Sequence, residues 1–281
     1  MNIYPSSFED NWHDVVTKAM RGLSITPLAL AEKSGLAFHE LQMLLDGHPN
    51  HQHLIAIAEV LSLHPQALVD LECGKHYTTS AVLPKNLKRF TTPFHGMEVH
   101  SYLLWSDENN EAIAFDTGSD CSGIVEELEK RKLTLRHVLL THGHQDHLND
   151  LERMLEKTGA EAWIGRPELA EKAHSISKND SWSINTFRII PRSTPGHSPG
   201  GTTYVIENLV PSVAIVGDAL FARSVGGIPA PTYQAALKAI RENILSLPAT
   251  TILCPGHGAL TTVGEEWEHN PFFAEKLTSQ H

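Results

Sequence analysis

The chain has 281 residues, 41% of them hydrophobic and 20% charged, enough for one large domain or one large and one small. Its formal net charge of −11 sets nucleic acid and anionic membrane aside as general partners, because both require a basic surface. Cys73, Cys121 and Cys254 stand in three unrelated contexts, which is no disulfide framework and suits a reducing compartment. Met1 to Asp10 has no basic stretch followed by an apolar one, and no run approaches the roughly 20 apolar residues of a membrane span. The expected location is the cytosol.

From about Trp12 to Glu72 the spacing of apolar residues is helical. Thr26-Pro27 reads as an N-cap followed by proline at the first helical position, and Gly35 stands where that helix stops. A second helix fits Ala37 to Leu45, closed by Asp46-Gly47. A third fits His51 to Leu63, with Leu54, Ile57, Ala58 and Leu61 on one face, and His64-Pro65 starts a fourth that holds Leu68 and Leu71. The stretch Cys73 to Ser80 breaks the periodicity and reads as a linker. The expected boundary therefore divides residues 1–80 from residues 81–281.

Leu28 to Leu36, Leu41, Leu44-Leu45-Asp46-Gly47 and Ile57 to Leu61 give this stretch its character, and it resembles the small all-helical domain of Cro- and lambda-repressor-like proteins. In that family the second helix of the helix-turn-helix enters the major groove. Here its outward positions hold Phe38, His39, Glu40, Gln42 and Met43, and residues 1–75 carry four basic against nine acidic side chains, a balance of −5. Each phosphate contact needs a positive partner, so the domain is not expected to bind DNA. Phe38 and Met43 are expected instead to face the rest of the chain, or a second copy in a homodimer.

After the linker, strands alternate with helices. Strands fit Met97 to Trp105, Ala112 to Phe115, Arg136 to Leu140, Ala162 to Ile164, Phe187 to Ile190, Thr202 to Ile206, Val213 to Val216 and Thr250 to Cys254. Helices fit Ile124 to Arg131, Leu148 to about Lys157, and Tyr233 to Leu245.

Four of these strands run into loops rich in metal-ligand chemistry. After Val138-Leu139-Leu140 comes Thr141-His142-Gly143-His144-Gln145-Asp146-His147, three imidazoles and a carboxylate within seven residues. Neutral imidazole and carboxylate are the donors that zinc, iron or manganese take. Gly143 is expected to keep the backbone between the ligands uncrowded. Thr194 to Gly200 presents His197, Asp218 follows Ala214-Ile215-Val216, and His257 follows Ile252-Leu253-Cys254. A turn histidine or a capping aspartate is ordinary alone. Their recurrence at successive strand ends is the signal. Cys254 reads as a buried strand-end thiol rather than a ligand.

Asp116-Thr117-Gly118, the His142 to His147 motif, His197, Asp218 and His257 together resemble the metallo-β-lactamase-fold superfamily, and within it hydrolases similar to glyoxalase II. The resemblance runs from about residue 85 to residue 275. It implies an α/β (α+β) fold, an αββα sandwich here preceded by the small helix-turn-helix-like domain. It further implies that His142, His144 and His197 hold one divalent ion and that Asp146, His147 and His257 hold a second. Asp218 would bridge the two, and Asp116 would orient a ligand histidine from behind. Asp146 and Asp218 would be the catalytic carboxylates. Two such ions, zinc by preference with iron or manganese as alternatives, share a hydroxide that attacks an ester, thioester or lactone carbonyl of a small-molecule substrate.

Two departures from glyoxalase II bear on substrate. Only 24 residues follow His257 (281 minus 257), too few for the C-terminal helices with which glyoxalase II holds glutathione. Gly226-Gly227-Ile228 stands where many relatives carry a Gly-Arg pair, leaving Arg223 as the nearby candidate for an anion contact. Two other readings use the same residues. One is a mononuclear iron enzyme similar to persulfide dioxygenases, built on His142, His197 and Asp218. The other is a transcription regulator in which the metal domain senses a ligand. A nuclease, also known in the superfamily, is opposed by the net charge.

Overall fold

The computed structural model describes residues 8–75 and 81–274. Residues 76–80, on which most of the expected linker falls, lie outside the described residues, as do the first seven and last seven.

Five helices open the chain: α1 (Trp12–Leu23), α2 (Pro27–Ser34), α3 (Phe38–Leu45), α4 (His51–Val60) and α5 (Pro65–Glu72). Their ends are set locally. The Asn11 side chain accepts from His13 N and Asp14 N, while Asp14 reaches back to Asn11 N. Thr26 caps α2 ahead of Pro27, and Gly35 closes it at φ +72°, a left-handed backbone that glycine adopts without penalty. Asn50 and His64 cap α4 and α5 in the same manner.

The rest of the described chain builds two six-stranded sheets. The first runs in the order β1 (Leu87–Phe94), β2 (Met97–Trp105), β3 (Glu111–Phe115), β4 (Thr134–Leu140), β5 (Glu161–Ile164) and β6 (Ala173–Ser175). The second contains β7 (Trp182–Ile184), β8 (Phe187–Ser193), β9 (Thr202–Glu207), β10 (Val213–Gly217), β13 (Ile252–Pro255) and β14 (Thr261–Thr262), with β13 pairing onto β10 and β14 onto β13. A small hairpin, β11 (Leu220–Phe221) with β12 (Ser224–Val225), follows β10. Helices α6 (Ser122–Arg131), α7 (Gln145–Leu148), α8 (Leu151–Thr158), α9 (Tyr233–Asn243) and α10 (Val263–His269) complete the set. No described helix is long and apolar enough to cross a membrane.

Side-chain alternation sorts the residues into layers. Tyr102, Leu104, Ile113, Phe115 and Leu139 face Ile189, Tyr204, Ile206, Ile215 and Ile252 between the sheets. Their neighbours Leu103, Ala114, Val138 and Leu140 point outward against Ile124 and Leu128 of α6 and Met154 of α8. Strand segments covered on both faces are apolar, which is why Ala112 to Phe115 of β3, Val138 to Leu140 of β4 and Val213 to Val216 of β10 are continuous hydrophobic runs.

On the outer face of the second sheet, Val205, Ala214, Val216 and Leu253 share one cluster with Tyr233, Ala236 and Ile240 of α9 and with the five N-terminal helices. The helices dock through α1 and α5. A Cβ on Gly22 would lie 2.2 Å from the Tyr233 ring, so α1 approaches there at backbone distance. Lys18 Nζ donates to Val225 O at 2.8 Å and pairs with Asp10, and His64 N donates to Pro271 O at 2.7 Å. The expectation that Phe38 and Met43 of α3 make this contact is corrected. They are 43% and 51% exposed, because α3 turns Leu41 and Leu44 into the helical core.

Candidate metal centre

Four strand ends, those of β4, β8, β10 and β13, bring the ligand-type residues together. β10 and β13 are parallel neighbours, with Gly217 paired to Pro255, so Asp218 and His257 leave adjacent strands on the same side. β4 ends at Leu140 in the facing sheet, and Thr202 N donates to Thr141 O at 2.9 Å, which ties the His197 loop to the His142 loop. His144 precedes α7, whose short turn carries Asp146 and His147.

The structure brings all seven predicted side chains into one cleft. His144 Nδ1 lies 3.0 Å from His142 Nε2 and 3.0 Å from His197 Nε2. On the other side, His257 Nε2 lies 3.2 Å and His147 Nε2 3.7 Å from Asp146 Oδ2. Asp218 stands between: Oδ1 is 3.3 Å from His147 Nε2, and Oδ2 is 3.4 Å from both His197 Nε2 and His257 Nε2. His142 Nε2 is 4.0 Å from Asp218 Oδ2.

What lies behind the imidazoles decides which nitrogen faces the cleft. His257 Nδ1 donates to Glu98 O at 2.6 Å and His197 Nδ1 to Gly227 O at 3.1 Å, since a carbonyl can only accept. His147 Nδ1 donates to Asp116 Oδ2 at 2.8 Å. Asp116 also accepts from Thr141 N and from Thr141 Oγ1, leaving that hydroxyl oxygen to accept from His142 Nδ1 at 3.0 Å. Four Nε2 atoms are thereby left without a proton in the neutral rings. Asp116 sits where the sequence placed it and braces both sides. Thr141 and the Glu98 and Gly227 carbonyls were not foreseen.

The site fits a bound cation on its own geometry. His147 Nε2 and Asp218 Oδ1 are buried and make no hydrogen bond, an arrangement that costs about 1–3 kcal/mol per group unless something bridges them. Burial holds the His142 and His197 rings below their ordinary range and hence neutral, with neighbouring imidazoles adding to the effect. Burial opposes charge on His257 too, yet the Asp146 and Asp218 carboxylates raise it to about 10. Burial alone would raise Asp218, but His147 and the other imidazoles hold it well below the usual carboxylate range. Burial likewise opposes charge on His147, and the Asp218 and Asp116 carboxylates outweigh it and hold the ring well above its ordinary range.

Several smaller expectations need correcting. Gly143 does not clear space among the ligands: a Cβ there would meet Glu168 Oε2 at 2.6 Å. The glycine that does so is Gly256, where a Cβ would lie 2.2 Å from Asp218 Oδ1 and 2.4 Å from the His147 ring. Arg223 is not poised for an anion. It is buried, and Nη1 donates to Glu266 Oε1 at 2.6 Å and to Thr261 Oγ1 at 3.3 Å. Cys254 lies in the inter-sheet core, and burial pushes its thiol up, in keeping with a strand-end role. The N-terminal segment reaches the rim of the centre, which no sequence signal announced: a Cβ on Gly258 would lie 2.7 Å from Glu9 N. Burial raises the Glu9 carboxyl, with His257 opposing.

Residues 96–257 match the Metallo-beta-lactamase superfamily. The chain belongs to that superfamily. Within it, the chain is 29% identical over 208 residues to the hydroxyacylglutathione hydrolase GloC of Haemophilus influenzae, an alignment covering 66% of this chain and 97% of that protein. It is 31% identical over 188 residues to the mitochondrial persulfide dioxygenase ETHE1 of Bos taurus, covering 61% and 70%. Among solved structures, the BLEG-1 B3 metallo-beta-lactamase superposes with a TM-score of 0.57 at 29% identity, over 67% of this chain and all of that one.

Proposed function

We propose that the chain is a dinuclear metal-dependent hydrolase of a thioester, ester or lactone carbonyl. The observation that supports it most is the pair of ligand groups on either side of Asp218, His142–His144–His197 and Asp146–His147–His257, each with its donor atoms mutually close. We assign one divalent ion to each group, Asp218 to both, and Asp116 to the brace behind His147 and Thr141. A donor set of five imidazoles and two carboxylates without thiolate suits zinc, with iron or manganese as alternatives. When bound, two such ions would polarise the carbonyl oxygen and supply hydroxide at neutral pH. The chain's residues do the rest. Backbone, carboxylate and hydroxyl acceptors on Nδ1 fix the His142, His147, His197 and His257 rings with Nε2 inward, and the Asp146 and Asp218 carboxylates supply the negative charge that offsets two cations.

For substrate, an acylglutathione thioester heads the list. The relative named for that class is covered over 97% of its length by 208 residues of this chain, so the short stretch after His257 does not argue against it. We take residues 1–80 as a protein-contact domain rather than a DNA reader, and residues 81–281 as the catalytic domain. Three free cysteines accord with a cytosolic setting.

Metal analysis of the purified protein, together with hydrolysis of a hydroxyacylglutathione and an aryl ester, tests the proposal. Two ions per chain and turnover of either substrate are expected. The similarity to a persulfide dioxygenase favours one alternative, a single iron on His142, His197 and Asp218. One iron per chain with persulfide-dependent oxygen consumption and no hydrolysis would replace the hydrolase reading.

A further inference from the structure

The helical unit holds a second group of ligand-type side chains that the catalytic reading leaves unused. His51 is the first residue of α4, Glu72 is the last of α5, and Cys73 caps α5. The start of one helix thus meets the end of the next. His51 Nε2 lies 2.8 Å from Glu72 Oε2 and 3.5 Å from Cys73 Sγ, and Cys73 Sγ lies 3.6 Å from Glu72 Oε2.

Those separations have a simple reference. Zinc bonds of about 2.0–2.1 Å to nitrogen, 2.3 Å to sulfur and 2.0–2.2 Å to oxygen, at tetrahedral angles, put neighbouring ligand atoms about 3.3–3.6 Å apart. Both edges that involve the sulfur already have that length. The third is shorter by about 0.5 Å because imidazole and carboxylate are hydrogen-bonded, and one ion would replace that bond.

The chemistry points the same way. Imidazole, thiolate and carboxylate form a borderline-soft set that takes zinc in preference to magnesium or calcium. Cys73 is the exposed cysteine of the three, while Cys121 and Cys254 are buried. The neighbouring cation, Lys75, is hydrogen-bonded to Asp70 at 2.9 Å. Desolvation and the Glu72 carboxylate raise the Cys73 thiol, a penalty that a bound divalent cation would reverse.

We propose that His51, Glu72 and Cys73 form a zinc-class metal site, separate from the catalytic centre, that clamps the start of α4 to the end of α5. The His51 side chain is 55% exposed, which leaves the fourth coordination position open to water. Such a clamp makes the end of α5, where the chain leaves the helical unit, sensitive to metal supply and to thiol oxidation.

The test is a cobalt titration of the full chain after metal removal. Cobalt bound to thiolate shows a near-ultraviolet charge-transfer band that imidazole and carboxylate do not give, and no cysteine belongs to the catalytic centre. The band is expected in the unaltered chain and in Asp218→Ala, and is expected to vanish in Cys73→Ser. His51→Ala and Glu72→Gln should each weaken it by at least the roughly 10–100-fold in affinity that loss of an outer-shell partner costs. Zinc should also slow alkylation of Cys73. Absence of the band in Asp218→Ala, or its survival in Cys73→Ser, overturns the proposal, and neither outcome depends on what the catalytic centre does.

Discussion

On one side of Asp218, His147 is fully buried and His257 nearly so, whereas on the other side His144 is open to solvent. The buried group is braced from behind: His147 by Asp116, His257 by the Glu98 carbonyl, and the loop carrying His257 by His100. In the open group His142 and His197 have such partners, and solvent reaches His144 directly. Water can satisfy an exposed imidazole but cannot reach His147 Nε2. Two sets of similar donors therefore differ in what it costs to leave them empty. On the proposed two-ion reading, the buried side would hold its ion more tightly than the open side.

The largest test of that contrast is the residue the two sides share. Asp218→Ala should strip both ions and lower hydrolysis on the order of 10³-fold, at least the loss seen when one preorganised electrostatic group is removed. Two ions retained in this variant, by elemental analysis, would show that the sides do not depend on it. Next comes a matched pair. His147→Ala should leave about one ion per chain, while His144→Ala should mainly weaken the open side, seen as faster loss of one ion to a chelator. Equal loss from both variants would erase the distinction.

Asp116→Asn comes third. Only one oxygen remains to accept from both Thr141 and His147, so metal affinity should fall about 10–100-fold, the usual cost of an outer-shell partner. Isothermal titration of the stripped protein would read this, and an unchanged affinity would remove Asp116 from the site.

The smallest effect is one of pH. His100 donates Nε2–H to Gly258 O and sits beside Thr91, and burial, with Arg89 adding, lowers it to about 3 from its usual 6.5. The unfolded chain takes up this proton below about pH 6.5 while the folded one does not. Its contribution to stability is therefore complete above pH 6.5 and shrinks toward pH 3, by at most about 1.4 kcal/mol per pH unit. Urea unfolding at pH 7 and pH 5 should show a smaller acid loss in His100→Gln than in the unaltered chain. Parallel losses would mean that His100 carries a proton in the folded state.

Much of this architecture could be read before any coordinates. Helices α2 to α5 were legible because their signals are local: Pro27 after Thr26, glycine at residue 35, Asp46-Gly47, and Pro65 after His64. Strands β2, β3, β4, β9 and β10 were legible because each holds a short buried apolar stretch, Tyr102 to Trp105, Ala112 to Phe115, Val138 to Leu140, Tyr204 to Ile206 and Val213 to Val216. β1 was missed because an edge strand tolerates Lys88, Arg89 and Pro93. β6 and β7 span three residues each, too short for a period to show. α10 was missed although Thr262 and Glu265 form a capping box at its start.

By itself the sequence determined the chemistry at the centre, because imidazoles and carboxylates at the ends of apolar strands are a matter of residue type and position along the chain. It could not say which ring nitrogen faces inward. That depends on Asp116, Thr141 and two backbone carbonyls, Glu98 O and Gly227 O, and a carbonyl has no sequence signature. Nor could it tell that Arg223 is engaged with Glu266, or that α1 rather than α3 docks the helical unit. An arginine reads alike whether it is buried in a pair or free for an anion, and an apolar helix face reads alike whatever it packs on. Only the tertiary structure decides such things, because partners far apart in sequence meet only once the sheets have closed.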